Sequence, residues 1–193
     1  MTMELYVALL HYPVYDKNHR IIATAVTNVD IHDICRMSAT FGAKGVFLVT
    51  PVEQQRELVG EMLKHWTSGG GATYNPRRKE ALDMARVVPD LEAARVLVEE
   101  QSGVKPVTIG TAARERSSVV TFEQMRALLR ERQGAALLIL GTGWGLEESF
   151  LASLDYNLEP VRGAGEYNHL SVRSAAAIMV DRLIGSESDI RLK

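Results

Sequence analysis

Leu137-Leu138-Ile139-Leu140 is the segment that most restricts how this chain can fold. Four apolar residues in a row leave no polar face. A strand made of them is buried on both sides, as in a parallel sheet covered by helices. The chain then breaks at once into Gly141-Thr142-Gly143-Trp144-Gly145-Leu146. Glycine inside regular structure costs roughly 0.5–1 kcal/mol, so three at alternate positions mark backbone that must turn tightly or lie against a ligand. Trp144, between the last two glycines, offers a flat cover for a guest. The carboxyl end of a central strand is the usual ligand position in open α/β sheets. A tight strand-to-helix turn with no guest is the plainer reading of the same residues. On the ligand reading, Gly143→Val crowds a pocket and leaves the domain folded.

The remaining chain alternates strands with helices, which predicts a mostly parallel sheet flanked by helices. Leu5–Leu10 reads as a strand, followed by a polar loop to Arg20 and an extended piece over Ile21–Val26. A helix fits Asp30–Phe41, with Asp30 as its N-cap and Gly42 as its stop. Val46–Val49 is the next strand. Pro51 opens a helix whose apolar side carries Val52, Leu58, Val59, Met62, Leu63 and Trp66. Ser68-Gly-Gly-Gly-Ala72 is a flexible break, and a helix starts at Pro76. Further helices run from Pro89-Asp90 to Gln101 and, through a Thr121/Gln124 capping box, to near Arg132. Between them lies a strand over Pro106–Gly110. After the glycine loop come a short helix from Glu147, a short strand over Tyr156–Leu158 and a last helix over Ser171–Ile184.

A length of 193 residues suits one domain, spanning 1–193. With 46% hydrophobic and 24% charged residues the composition is that of a globular protein. No apolar run approaches the roughly 18 residues needed to span a bilayer, and the first residues lack a signal-peptide pattern. The expectation is a cytoplasmic protein with no membrane contact. The single Cys35 permits no internal disulfide and reads as core filler. A net charge of −2 does not suit a protein that coats nucleic acid, so RNA contact would have to come from a local patch. Candidates are Lys17/His19/Arg20, Arg77-Arg78-Lys79, Arg114/Arg116 and Arg126/Arg130/Arg132, each of which is otherwise a solvated face.

The glycine cluster fails as a dinucleotide fingerprint. Its third glycine comes one residue early, and it follows a late strand. No Gly-Lys-Ser/Thr is present for a P-loop. His32, His65 and His169 have no ligand spacing with Cys or carboxylates, so no metal site is expected. A second loop, Glu159-Pro160-Val-Arg162-Gly163-Ala-Gly165-Glu-Tyr-Asn168-His169-Leu170-Ser171, leads into a helix beginning Leu170-Ser-Val-Arg-Ser-Ala-Ala-Ala177. A glycine-bearing loop after a late strand, a Pro-containing loop and this small-residue helix start resemble the last two motifs of the SPOUT (α/β-knot) RNA methyltransferases. Asn28-Val-Asp30-Ile-His-Asp-Ile-Cys-Arg36-Met-Ser-Ala-Thr-Phe41-Gly42 echoes the first motif. The resemblance covers roughly the whole chain and is closest to the stand-alone members of that family.

The resemblance implies a SPOUT fold, in which the chain from about Tyr156 onward threads an earlier loop as a deep trefoil knot. True knots are otherwise nearly absent from proteins. It also implies S-adenosylmethionine bent among three loops. These are Thr111-Ala112, then Leu140, Gly141, Thr142, Gly143, Trp144, Gly145 and Leu146, and finally Glu159, Pro160, Arg162, Asn168, His169 and Leu170. Family members are typically homodimers with the site at the subunit interface. The implied activity is methyl transfer from S-adenosylmethionine to tRNA or rRNA, at a base nitrogen or a ribose 2′-hydroxyl. The rival is a knotted module that binds cofactor or RNA without turnover.

Catalytic candidates are Asn28, Asp30, Arg36 and Ser171. Arg36 matches the arginine that 2′-hydroxyl enzymes of the family hold before Phe-Gly; otherwise it is a surface arginine. Asp30 stands where that subfamily has Asn, and Ser171 where its last motif has Asn, so base nitrogens remain as open as the 2′-hydroxyl. Asp30 is either a proton acceptor or only a helix cap. His11, on the expected active side, would touch RNA with Arg20.

Overall fold

The computed structural model describes residues 2–186. Its centre is the all-apolar segment, now β7 (Ala135–Gly141), which pairs in parallel with β1 (Glu4–Leu10) on one side and β6 (Val107–Gly110) on the other. Beyond β1 lie β4 (Val46–Val49) and β5 (Ala85–Val88); beyond β6 lies β8 (Tyr156–Asn157). The six-stranded order β5-β4-β1-β7-β6-β8 is parallel throughout. A two-stranded hairpin, β2 (Val14–Tyr15) with β3 (Ile21–Ile22), stands apart from the sheet.

Alternate residues of β1 feed two cores, which explains the absence of a polar face. Leu5, Val7 and Leu9 pack with Ile31, Ile34 and Cys35 of α1 (Asn28–Phe41), Met125 and Leu129 of α6 (Phe122–Glu131), and Ala176 and Val180 of α8 (Val172–Ile184). Tyr6, Ala8 and Leu10 pack with Ala94 and Val98 of α5 (Leu91–Ser102) and Leu151 of α7 (Glu148–Ala152). On the first face also lie α2 (Glu53–Thr67) and α4 (Pro76–Asp83), through Val59 and Leu82. Cys35 is buried and free, and burial pushes its thiol up to about 12.

Several boundaries differ from the sequence reading, each for a local reason. The N-cap of α1 is Thr27, not Asp30. Its hydroxyl accepts from the Asp30 amide at 3.2 Å and donates to the Asp30 carboxylate at 2.6 Å. Two cap-type residues one turn apart compete, and the earlier one wins. In α2 only Val59 is buried, while Leu58 is 55% exposed. The Gly-rich stretch is not a plain break but forms α3 (Gly70–Tyr74), folded back onto α2. A Cβ on Gly71 would sit 2.6 Å from the Trp66 ring. The strand β5 is absent from the sequence reading because Ala-Arg-Val-Val shows neither alternation nor a full apolar run. The capping box at Thr121/Gln124 and the left-handed Gly42 stop (φ +79°) are as expected.

Candidate functional site

From β1 the chain steps to β4 on one side, while β6 and β7 fill the other. The carboxyl ends of β1 and β7 therefore flank a topological switch point, where open α/β sheets hold ligands. A cleft of about 970 Å³ opens there, near the upper end of the usual range for small-molecule sites. Its walls are the loops after β6 (Thr111–Ser118) and β7 (Leu140–Leu146), the segment Asn168–Arg173 that leads into α8 and includes its first residues, and Tyr15 and Thr24 of the hairpin region.

The glycine loop is braced by that hairpin. The Trp144 amide donates to the Tyr15 carbonyl, the Tyr15 amide to the Gly145 carbonyl, and the Glu147 amide to the Pro13 carbonyl, at 2.9, 2.9 and 3.1 Å. Tyr15 and Ser149 also donate hydroxyl hydrogen bonds to Glu147, whose carboxyl falls to about 2. The three glycines answer to different demands. At Gly141 a Cβ would meet Leu146 Cγ at 2.7 Å. Gly143 has φ +57° and would place a Cβ 2.8 Å from the Tyr15 carbonyl. Gly145, at φ +101°, has open space instead. Two of the three thus serve the protein's own packing, and the expectation that Gly143→Val spares the fold is corrected. Trp144 lines the cleft with its side chain 56% exposed.

Behind the loop runs a chain of hydroxyls. Thr142 Oγ1 donates to the Leu10 carbonyl at 3.1 Å, and Thr24 Oγ1 lies 2.5 Å from Thr142 Oγ1. A hydroxyl has one hydrogen. With that of Thr142 committed, Thr24 must donate to Thr142, and His11 Nδ1, 3.0 Å away, must donate to Thr24. The tautomer follows: Nδ1 carries the proton, and the buried Nε2, which has no partner, is bare. Thr24 and Thr142 consequently offer the cleft only lone pairs, so a ligand group that meets them must bring a hydrogen. His11 is 0% exposed, which removes it from RNA contact, and Arg20 is paired with Asp16. Burial drives the His11 pKa down to about 4, against the pull of the Asp30 carboxylate.

The third wall joins both ends of the chain. Arg173 pairs with buried Asp30 at 2.5 Å and with Asp33 at 3.3 Å. Ser171 is the N-cap of α8, accepting from the Ser174 amide. Asn168 Nδ2 donates to the Ala113 carbonyl at 3.1 Å, and the Thr111 hydroxyl donates to the Ile139 carbonyl at 2.9 Å. Glu148, at the rim, holds Arg116 at 2.5 Å, and Glu115 holds Arg162 at 2.9 Å.

Of the expected cofactor residues, Thr111, Ala112, Leu140 through Leu146, Asn168, His169 and Leu170 line the cleft. Glu159, Pro160 and Arg162 do not: Glu159 accepts from the Phe122 amide at the start of α6, Pro160 is buried, and Arg162 lies outside the cleft. Of the catalytic candidates, Asp30 and Ser171 reach the cleft, whereas Asn28 and Arg36 are exposed on α1 and do not. Sequence reasoning missed Tyr15, Thr24 and Arg173, whose roles come from contacts across more than a hundred residues, as in Arg173 with Asp30 (separation 143), and Thr27, whose hydroxyl binds Asp30 three residues on.

A family model described as SAM-dependent RNA methyltransferase matches residues 4–185. A tRNA (guanine-N(1)-)-methyltransferase from Oleidesulfovibrio alaskensis (strain G20) is 46% identical over 182 residues, 94% of this chain but 42% of the relative. The chain thus spans less than half the length of that protein. An uncharacterized protein of Aquifex aeolicus is 36% identical over 180 residues, covering 93% of this chain and 88% of its own. Among solved structures, the SpoU methyltransferase AviRb from Streptomyces viridochromogenes in complex with the cofactor AdoMet superposes with a TM-score of 0.57. It is 15% identical, over 95% of this chain and 58% of that one. At that identity the likeness concerns the fold alone.

Proposed function

The chain belongs to the SAM-dependent RNA methyltransferase family, and we propose that its cleft holds S-adenosylmethionine and directs a methyl group to tRNA or rRNA. The observation that carries this is the row of hydroxyls that can only accept. The amino acid end and the adenine amine of the cofactor are both hydrogen donors, the class of group that Thr24 and Thr142 can satisfy. Backbone groups of Thr111-Ala112, Leu140–Leu146 and Asn168–Leu170 supply the rest of the cradle, under the cover of Trp144. When bound, the cofactor supplies an already activated methyl group. The protein's part is then orientation and the reception of one proton from the acceptor.

Asp30 is a weak candidate for that proton, since Arg173 and the Thr27 hydroxyl occupy its two oxygens. Glu148 is held by Arg116 and Glu115 by Arg162. His169 lines the cleft with only an edge-on contact to Tyr167. It is the group we assign to proton reception, with the Asp30–Arg173 pair fixing the adjoining wall. A base nitrogen and a ribose 2′-hydroxyl both present a proton to such a group.

The chain is one domain, and it works in the cytoplasm. Among the described residues no helix is long and apolar enough to cross a membrane. The C-terminal segment threads a loop as a trefoil. Supporting this, the Leu158 amide donates to the Gly110 carbonyl on one side, while the Glu159 amide donates to the Val120 carbonyl on the other, so the 111–119 loop straddles the segment. Two copies pair at the cleft mouth, where Val29 and Leu170 stand 54% and 48% exposed. Light scattering at micromolar concentration tests that pairing; a monomer would end it.

Titration calorimetry with S-adenosylmethionine and its demethylated product tests the cofactor, with Thr142→Val expected to weaken both. Transfer of radiolabel to unmodified tRNA and rRNA tests the reaction, and His169→Gln should lower turnover while sparing cofactor affinity. Cofactor binding without label in any RNA would favour the rival, a binding module without turnover.

A further inference from the structure

Away from the cleft, the segment 62–79 carries Lys64, Arg77, Arg78 and Lys79 and not one acidic residue, in a chain whose net charge is −2. The fold sets one of these cations, Arg78, against an aromatic side chain, with the others close by in sequence. The Trp66 ring is met edge-on by His32 at 5.1 Å and by His65 at 5.3 Å, and the Arg78 guanidinium lies 4.8 Å over its face. Close contact with Gly71 holds α3 against the same ring. Arg36 stands one turn beyond His32 on α1, and the guanidinium charges of Arg78 and Arg36 both act to lower the His32 pKa, after burial, which is the larger cause.

The rigid corner presents exposed groups rather than consuming them. Tyr74, at the end of α3, is 85% exposed. Asn75 next to it caps α4 by accepting from the Arg78 amide at 3.0 Å, which fixes where Tyr74 and Arg77 stand. Lys79 is paired with Asp83. Among the described residues Arg36, Lys64, Arg77 and Arg78 take part in no ion pair.

We propose that this α1–α2–α4 corner is a docking surface for single-stranded or looped RNA, with Tyr74 stacking on a base and Lys64, Arg77 and Arg36 meeting phosphates. Stacking on an exposed aromatic beside unpaired cations is how proteins hold unpaired nucleotides with little regard to sequence. An acidic protein partner would be served by the cations but gives no use to an upstanding tyrosine. The proposal rests on the RNA reading above and adds where the RNA is gripped outside the cleft. It also gives Arg36 a place in substrate capture, since it does not reach the cleft of its own chain.

Fluorescence anisotropy with a labelled uridine oligomer of roughly 20 nucleotides, and with bulk tRNA, measured across a salt series, tests it. Lys64→Gln/Arg77→Gln should weaken binding about tenfold and flatten the slope of log affinity against log salt by about 1.4, roughly 0.7 per lost phosphate contact. Tyr74→Ala should weaken binding at least about fivefold with the salt slope kept. All three side chains are exposed, so folding is spared, and calorimetry with S-adenosylmethionine should read the same in every variant. Unchanged RNA affinity in both variants would overturn the surface while leaving the cofactor reading intact. Loss of self-association in the variants, without loss of RNA binding, would overturn it in favour of an interface between copies of the chain.

Discussion

Two glycine-rich loops flank the cleft, and they are glycine-rich for opposite reasons. Between Gly141 and Gly145 the backbone is pinned by β2, two of the three glycines have positive φ, and at Gly141 and Gly143 an added Cβ would collide with the protein itself. Gly163 and Gly165 have nothing within 4 Å of an added Cβ and no positive φ. Among the described residues, 161–170 make no backbone–backbone hydrogen bond, and the side-chain ties to the 111–119 loop are Asn168 to Ala113 and Arg162 to Glu115. One loop is a finished wall; the other is a strap left free to settle on what enters. Composition alone does not distinguish them, because glycine serves both where a side chain is forbidden and where none is needed.

The sharpest way to break this contrast is Gly143→Val. A β-branched residue at φ +57° is strained, and its Cβ would meet the Tyr15 carbonyl at 2.8 Å, so the hairpin must lift from the loop. We expect a loss of about 3 kcal/mol or more in urea denaturation, with cofactor affinity falling as a consequence. A stable variant that merely fails to bind would show that the wall is shaped for its guest and not for the hairpin.

Acid probes the same wall from behind. Unfolded, His11 titrates near 6.5; folded, it titrates near 4 because it is buried. Between those values the unfolded chain holds the extra proton, so the stability carried by neutral His11 is complete above about pH 6.5 and drains as pH falls toward 4. The full loss is on the order of 3 kcal/mol. His11→Asn should have a flatter profile than the parent between pH 7.5 and 5 when urea midpoints are compared. Parallel profiles would place the acid sensitivity elsewhere.

Gly145→Ala separates strain from collision. Its φ of +101° is costly for any residue with a Cβ, but nothing stands within 4 Å. A loss of about 1–2 kcal/mol in the same denaturation is expected, the cost of a left-handed backbone alone. A loss equal to that of Gly143→Val would mean that the hairpin contact contributes nothing.

Much of this wall was legible in the sequence because its signals are local: an apolar strand, alternate glycines, and a short helix beginning at about Glu147. Caps at Gly42 and Thr121 were legible for the same reason. The brace was not. Val14-Tyr15 and Ile21-Ile22 are two residues each, too short for any periodicity, and their meaning lies in Tyr15 reaching a loop over 120 residues away. The Asp30–Arg173 pair was hidden likewise, since neither residue's own neighbourhood shows that α1 and α8 lie side by side. Asp30 was misread as a cap because Thr27, one turn earlier, is also a cap-former and satisfies the helix first. In general, what a few adjacent residues decide can be read along the chain, and what two distant segments decide together cannot.

The smallest expected effect tests the other half of the comparison. Gly163→Ala and Gly165→Ala place a methyl group in open space on backbone that any residue adopts. Such changes restrict the unfolded chain and leave the native contacts alone, so the shift in stability should stay within about 0.5–1 kcal/mol and can be favourable. If the strap must close over a ligand, however, its ordering entropy is part of the binding cost, and a stiffer strap loses less on closing. The double variant should therefore bind S-adenosylmethionine as well as the parent or slightly better, with a less unfavourable binding entropy in calorimetry. Binding that collapses while stability holds would mean that the strap needs a backbone conformation open only to glycine when the ligand is present, and the contrast between a fixed wall and a merely permissive strap would fail.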